Sequence, residues 1–298
     1  MDKTRNALSL VGCLWLLSVV SFAQHGTLYR IKHKVSNAPG TLFMTWGYNR
    51  SYFSNSKIHF FGPNYGFSLS NIPAVDDPKP YDRDIYFRRA TINTTQYNGR
   101  IGYYFKKKYA LSVGIDHTNY ITRETNKSQL SGTFYEGADT VNNWIGTYYN
   151  NFVTIDHNKI NYNNQGGLNY LRLELTRTGL LYRSHEKNIA LSSNLGLGIG
   201  ALVTKNTFLF NGRQDVPQRS LAGIGFSITT GLRIEIFKNL TFQSEIQWGH
   251  MSLQHVKTRD FDETDYAKQK FLYASVITSG GLLFFIRPTN ECDTCPLW

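Results

Sequence analysis

Ile224-Gly225-Phe226-Ser227-Ile228-Thr229-Thr230-Gly231-Leu232-Arg233-Ile234-Glu235-Ile236 alternates apolar and small or polar side chains almost without a break. Side chains on a β-strand point to opposite faces with a period of two, so one face carries Ile224, Phe226, Ile228, Leu232, Ile234 and Ile236 and the other carries Arg233 and Glu235. A strand greasy on one side and charged on the other fits hydrocarbon outside and a polar lumen inside. A secreted soluble β-protein would need polar outward faces, and here those faces hold Ile, Leu and Phe throughout.

The same pattern, bounded by turn residues, predicts eight long strands at 41–52, 93–106, 109–122, 168–183, 189–204, 223–237, 240–255 and 271–287. Each has the roughly 9 to 11 residues that a tilted strand needs to cross a bilayer. Lys107-Lys108, residues 184–188 and Lys238-Asn239 form short turns, whereas 53–92, 123–167, 205–222 and 256–270 are long connections. Short turns on one rim and long loops on the other define a closed antiparallel transmembrane β-barrel, with the short rim periplasmic and both termini on that side. Residues 57–61, 65–69 and 144–154 also alternate, so the barrel reads as eight strands, or as ten or twelve if these hairpins join it.

The chain opens as an exported protein does. Lys3 and Arg5 precede an apolar stretch at 7–20, and Ser21-Phe22-Ala23 offers a cleavage site, giving a signal peptide at 1–23. Leu10-Val11-Gly12-Cys13 is the competing lipoprotein box, but cleavage there would strand Trp15 to Val20 after the cut. A periplasmic segment at 24–40, a barrel at 41–287 and a periplasmic tail at 288–298 complete the division. Cys292 and Cys295 in that tail read as a disulfide in an oxidising compartment, since a tetrahedral metal site needs two further ligands.

The formal charge is +11. The basic residues are scattered, with no basic helix or RNA-binding aromatic motif, which excludes nucleic acid as a partner. Anionic headgroups at a membrane rim are the alternative, contacted by Arg50, Lys106, Lys107, Lys108 and Arg183.

Strand phase points Arg100, Asp116, Arg172, Glu174, Arg233, Glu235 and Glu245 into the lumen. Isolated buried charges are costly, so these groups should pair and plug the barrel. Gly196, Gly198 and Gly200 share the inward face and leave room for larger neighbours in an eight-stranded interior. Trp46, Tyr48, Tyr97, Tyr103, Phe105, Tyr109, Phe237, Phe242, Trp248 and Phe284 fit an interfacial aromatic girdle. Asp76, Asp77, Asp82 and Asp84 cluster without the spacing of a calcium loop and read as a solvated segment. No cofactor or metal is implied.

The segment Thr45-Trp46-Gly47-Tyr48-Asn49-Arg50, continued by Ile58-His59-Phe60 and Tyr65-Gly66-Phe67-Ser68-Leu69, resembles an N-terminal signature of small outer-membrane β-barrel proteins of the Bacteroidetes type. The final strand, Gly280-Gly281-Leu282-Leu283-Phe284-Phe285-Ile286, resembles the ending recognised by barrel assembly machinery. The resemblance implies a bacterial outer-membrane barrel without an assigned activity. Its partners would be outer-membrane lipid, lipopolysaccharide and an undefined surface ligand bound by the long loops.

One motif suggests chemistry. His250-Met251-Ser252 puts a histidine and a serine on one strand face, turned toward lipid by the phase of Phe242, Ile246 and Trp248. This is similar to outer-membrane lipid A deacylases. By that resemblance His250 is a general base and Ser252 a nucleophile, with Glu263 or Asp262 as the orienting acid. Those enzymes carry asparagine after the serine, where this chain has Leu253. Three functions follow in order: a plugged barrel presenting surface loops, an outer-leaflet esterase, and a small porin.

Overall fold

The computed structural model describes residues 36–77, 96–185, 188–237, 239–260 and 264–286. The leader, the cysteine tail, Asp82, Asp84, Asp262 and Glu263 lie outside the described residues. Fourteen strands form one antiparallel sheet: β1 (Thr41–Phe53), β2 (Ser56–Gly62), β3 (Tyr65–Ile72), β4 (Ala74–Val75), β5 (Tyr97–Lys106), β6 (Tyr109–Thr122), β7 (Thr125–Phe134), β8 (Gly146–Ile155), β9 (Ile160–Arg183), β10 (Ile189–Phe210), β11 (Arg213–Gln214), β12 (Gln218–Ile236), β13 (Leu240–Lys257) and β14 (Tyr266–Phe285).

Eight of these close on themselves. Hydrogen-bonded pairing runs β1–β5–β6–β9–β10–β12–β13–β14, and β14 returns to β1 in unbroken register from Thr41↔Phe285 to Phe53↔Tyr273. Closure leaves this ring without a free edge, so every strand's N–H and C=O groups face a partner. The ring is the eight-strand barrel that the alternation predicts, and its outward faces are apolar: Ile224, Phe226 and Ile228 on β12, Leu171, Leu173 and Leu175 on β9, and Leu195, Leu197 and Ile199 on β10 are all exposed.

At the short-turn end the chain crosses the barrel mouth. Lys108 adopts a left-handed φ of 68° in the β5–β6 turn and donates its N–H to Asn37 O at 2.8 Å. Ser36 Oγ reaches Glu235 Oε1 at 2.7 Å, inside the ring.

The opposite end is taller than the sequence suggests. β9 and β10 span 24 and 22 residues, and the predicted loop at 205–222 is largely strand, with β10 continuing to Phe210 and β12 beginning at Gln218. The predicted loop at 256–270 shrinks in the same way, and 123–167 contains an unforeseen strand, β7. The cause is a phase inversion. On β10 the inward side chains change from Ser192 and Asn194 to Phe208 and Phe210, while the outward ones change from Leu197 and Ile199 to Lys205 and Thr207. Around the crossover Thr204-Lys205-Asn206-Thr207 is polar throughout, so the alternation breaks although the strand does not.

Above that crossover β2, β3, β7 and β8 add to β14 and help enclose an apolar core. Phe60 lies fully buried in it, stacked on Phe67 and Phe208 with ring centroids 4.9 Å away in each case and meeting Tyr162 edge-on at 5.6 Å. Phe67 in turn packs on Phe134 at 4.8 Å. Each such pair adds about 0.5–1.5 kcal/mol beyond the area it buries.

Truncating Phe60 removes a fully buried ring from this core, so Phe60→Ala should cost about 3–5 kcal/mol. Tyr149→Ala, at an 81% exposed position on β8, should stay within about 0.5 kcal/mol. Urea unfolding of the detergent-solubilised full chain measures both.

Candidate functional site

The lower lumen is filled by the seven charged residues that strand phase points inward. All are buried; Arg172 is 2% exposed. Arg172 Nε lies 3.0 Å from Asp116 Oδ2, and its Nη1 is paired with Glu174 Oε2. Glu174 Oε1 then meets Arg100 Nη1 at 3.3 Å, and Arg100 Nη1 meets Glu245 Oε2 at 2.8 Å. The result is a chain of alternating sign, Asp116–Arg172–Glu174–Arg100–Glu245, drawn from β6, β9, β5 and β13. Neutral donors add to it: Thr229 and Thr176 hydroxyls donate to Glu174 at 3.1 Å, Gln247 Nε2 to Asp116 at 3.3 Å, and Asn194 Nδ2 to Glu245 at 3.4 Å.

Arg233 and Glu235 form a second, separate group near the short-turn end. Their side chains pair at 2.6 Å, and Arg233 Nη1 donates to Tyr104 Oη at 2.8 Å. Both residues come from one face of β12, where spacing by two stacks them along the barrel axis.

Glycines make the space. A Cβ on Gly196 would sit 2.9 Å from the Glu174 carboxyl carbon, and one on Gly200 would lie 2.0 Å from Leu171 O. The narrow interior can hold long ionic side chains from β9 because its neighbour β10 contributes none at those levels.

Asp76 has a different role from the solvated one expected of it. β4 fills the gap between β1 and β6 above the start of β5, pairing with both. Asp76 follows directly, and its carboxylate accepts the backbone N–H of Ser51 on β1 at 2.6 Å and of Asn119 on β6 at 3.3 Å, with Gln96 donating from its side chain. The carboxylate thus supplies acceptors to both neighbouring strands at the junction between β4 and β5. Nothing in the sequence marks this except an acid after a short β-prone dipeptide. Burial pushes Asp76 up to about 6, against the opposing pull of the Ser51 and Asn119 N–H groups and of Arg50. No group of three or more potential metal ligands exists among the described residues.

His250 and Ser252 do share the outward face of β13. Thr241, Gln243, Glu245 and Gln247 point inward, and Phe242 and Trp248 are exposed on the other side. His250 is registered between Phe226 and Leu272, and Ser252 between Ile224 and Lys270. Ser252 is only 8% exposed, and its hydroxyl accepts from Gln254 Nε2. Among the described residues no hydrogen bond links His250 to Ser252 or to an acid, and Glu263 lies outside them. His117, at a comparable outward position on β6, is buried against Tyr97 with ring centroids 5.0 Å apart and joined to Asn169 at 2.8 Å. Trp46 extends that stack at 5.0 Å from Tyr97, which accounts for two of the expected girdle residues.

No family model and no curated protein matches the chain. Among solved structures it is similar to OprG, an outer membrane protein from Pseudomonas aeruginosa (11% identity, TM-score 0.39, covering 85% of this chain and 97% of that one). It is similar also to Ail, the attachment invasion locus protein of Yersinia pestis (12%, 0.32, 83% and 99%), and to the outer membrane protease OmpT from Escherichia coli (10%, 0.30, 87% and 98%). At these identities and scores no residue role transfers to this chain.

Removing Arg172 leaves Asp116 and part of Glu174 uncompensated, so Arg172→Met should destabilise the barrel by about 3–5 kcal/mol. Asp116→Leu combined with Arg172→Met should recover much of that loss, read from urea midpoints in detergent. Asp76 predicts a pH dependence of definite sign. Its carboxyl titrates near 3.8 when unfolded and near 6 when folded, so its contribution to stability should fall as pH rises from about 4 to 6 and level off above. Asp76→Asn should abolish that slope in hydrogen exchange at the Ser51 and Asn119 amides.

Proposed function

We propose that this protein is an integral outer-membrane β-barrel with a sealed lumen, which presents its tall β-structured end at the cell surface. One observation carries this reading: the side chains of a single closed ring are apolar outside, ion-paired inside at the lower level and aromatic inside at the upper level. The outside suits hydrocarbon, where only closed barrels or helices satisfy the backbone. The inside suits a plug, because seven buried charged side chains fill the lower lumen and pair with one another across it, three arginines among four carboxylates.

Orientation is supported by turn lengths. The hairpin end, where residues 36–40 cross the mouth, would face the periplasm, and the β2–β3 and β7–β8 hairpins would stand outside the cell. The export signal expected at 1–23 and the aromatic-rich last strand fit delivery through the general export and barrel-assembly route.

A rigid scaffold that raises two hairpins above the membrane serves binding or envelope structure, since exposed connections usually carry recognition. β8 is exposed along most of its length, with Tyr149 and Phe152 uncovered. Esterase chemistry at His250 and Ser252 gains no support from the described geometry, in which the serine hydroxyl is engaged by Gln254.

Planar-bilayer recording tests the seal. The purified full chain should insert without the large, stable conductance steps of a water-filled pore. Such steps from the unaltered protein would overturn the plugged reading and favour a porin.

A further inference from the structure

Four neighbouring strands make the same change on their outward faces. On β14 the exposed series Phe284, Leu282, Val276 and Leu272 gives way to Lys270 and Lys268. On β12 it passes from Ile228, Phe226, Ile224 and Leu221 to Arg219; on β10 from Ile199 and Val203 to Lys205; on β13 from Trp248 to Lys257. β2, which begins above the apolar zone, adds Lys57 opposite Lys270 and His59 opposite Lys268. Lys205 pairs directly with Arg219, and the Lys257 N–H donates to Ser220 Oγ at 2.8 Å, so the cations form one continuous face across five strands.

Among the described residues no salt bridge engages Lys57, Lys205, Arg219, Lys268 or Lys270. Cations so crowded repel one another. His59 beside them is held below the ordinary histidine range, chiefly by burial and further by Lys57 and Lys268. The face also has an aromatic floor: Phe61 stacks on Tyr266 at 4.8 Å, His255 stacks on Tyr266 from the other side at 4.6 Å, and the Lys268 ammonium lies 5.4 Å and 5.5 Å from the Phe61 and Tyr266 ring centres.

We infer that this face binds the phosphorylated headgroup of an outer-leaflet glycolipid. The inference rests on the membrane reading proposed above and deepens it. A headgroup meets the protein where apolar side chains end, which is where these cations begin. Five strands at 4.7–4.9 Å spacing make a face about 19 Å wide, more than one phosphodiester of a simple phospholipid would occupy. Several phosphates carried on linked sugar rings match both the spread of cations and the flat aromatic floor.

The full chain in phosphatidylcholine vesicles, titrated with bis-phosphorylated lipid A, tests this. Binding should weaken with salt, and should drop about tenfold or more when the same lipid A lacks its phosphates or when Lys57→Glu and Lys268→Glu are combined. The charge-matched pair Lys127→Glu and Lys159→Glu, exposed on other elements, should bind as the unaltered chain does. Equal binding of the phosphate-free lipid, an equal loss in the control pair, or equally tight binding of phosphatidylglycerol would overturn the inference. A chain that inserts into the vesicles but binds no lipid A overturns this inference alone, and one that does not insert overturns the membrane reading with it.

Discussion

Closure of the β1–β14 ladder is the constraint on which the rest of the structure depends. Thirteen registered pairs from Thr41↔Phe285 to Phe53↔Tyr273 remove both edges of the ring. Within hydrocarbon an open edge would leave rows of unsatisfied N–H and C=O groups, each costing several kcal/mol. Once the ring is closed at eight strands, its interior has room for side chains and little else. The choice of those side chains then decides whether the barrel conducts, folds or collapses.

The chain fills that interior in two ways. Where the exterior is apolar, the inside uses arginine and carboxylate chains with glycines opposite them; Gly196 on β10 leaves the room that the Glu174 carboxyl on β9 occupies, and Gly200 lets β10 approach the Leu171–Arg172 backbone. Where the exterior becomes polar, the inside becomes aromatic, centred on Phe60 and Phe67. Both follow from one rule of the proposed membrane reading: the face opposite the solvent takes the complementary character, and the solvent changes from lipid to water partway up the strands. The cationic face lies at that same change, which is why it belongs to the upper parts of β10, β12, β13 and β14.

Much of this was legible in the sequence wherever the period of two kept a single phase. The strand at 109–122 coincides with β6, and the seven inward charges fall where alternation directs them because inverting any of the five strands that carry them would expose that strand's charges. The outward aspect of His250 and Ser252 was equally readable. What was not legible lies at and above the inversion. A polar run such as 204–207 reads as a loop when it is the joint between two opposite phases, and β7, rich in Ser and Thr, carries almost no alternation of its own. The cations of the outer face were hidden for that reason, since Lys205, Arg219, Lys257, Lys268 and Lys270 all fall in stretches that read as long loops. Asp76 was missed because its role as a substitute strand acceptor depends on Ser51 and Asn119 meeting beside it, which only the folded topology arranges.

Contact between the outward aliphatic faces and lipid is the central claim, and tryptophan quenching by brominated acyl chains probes it most directly. Trp248 stands 46% exposed on the outer face of β13, whereas Trp144 is buried in the upper aromatic core. With the other tryptophans replaced by phenylalanine, a chain keeping only Trp248 should be strongly quenched in brominated vesicles and one keeping only Trp144 should remain bright. Undiminished Trp248 emission in those vesicles would contradict the account.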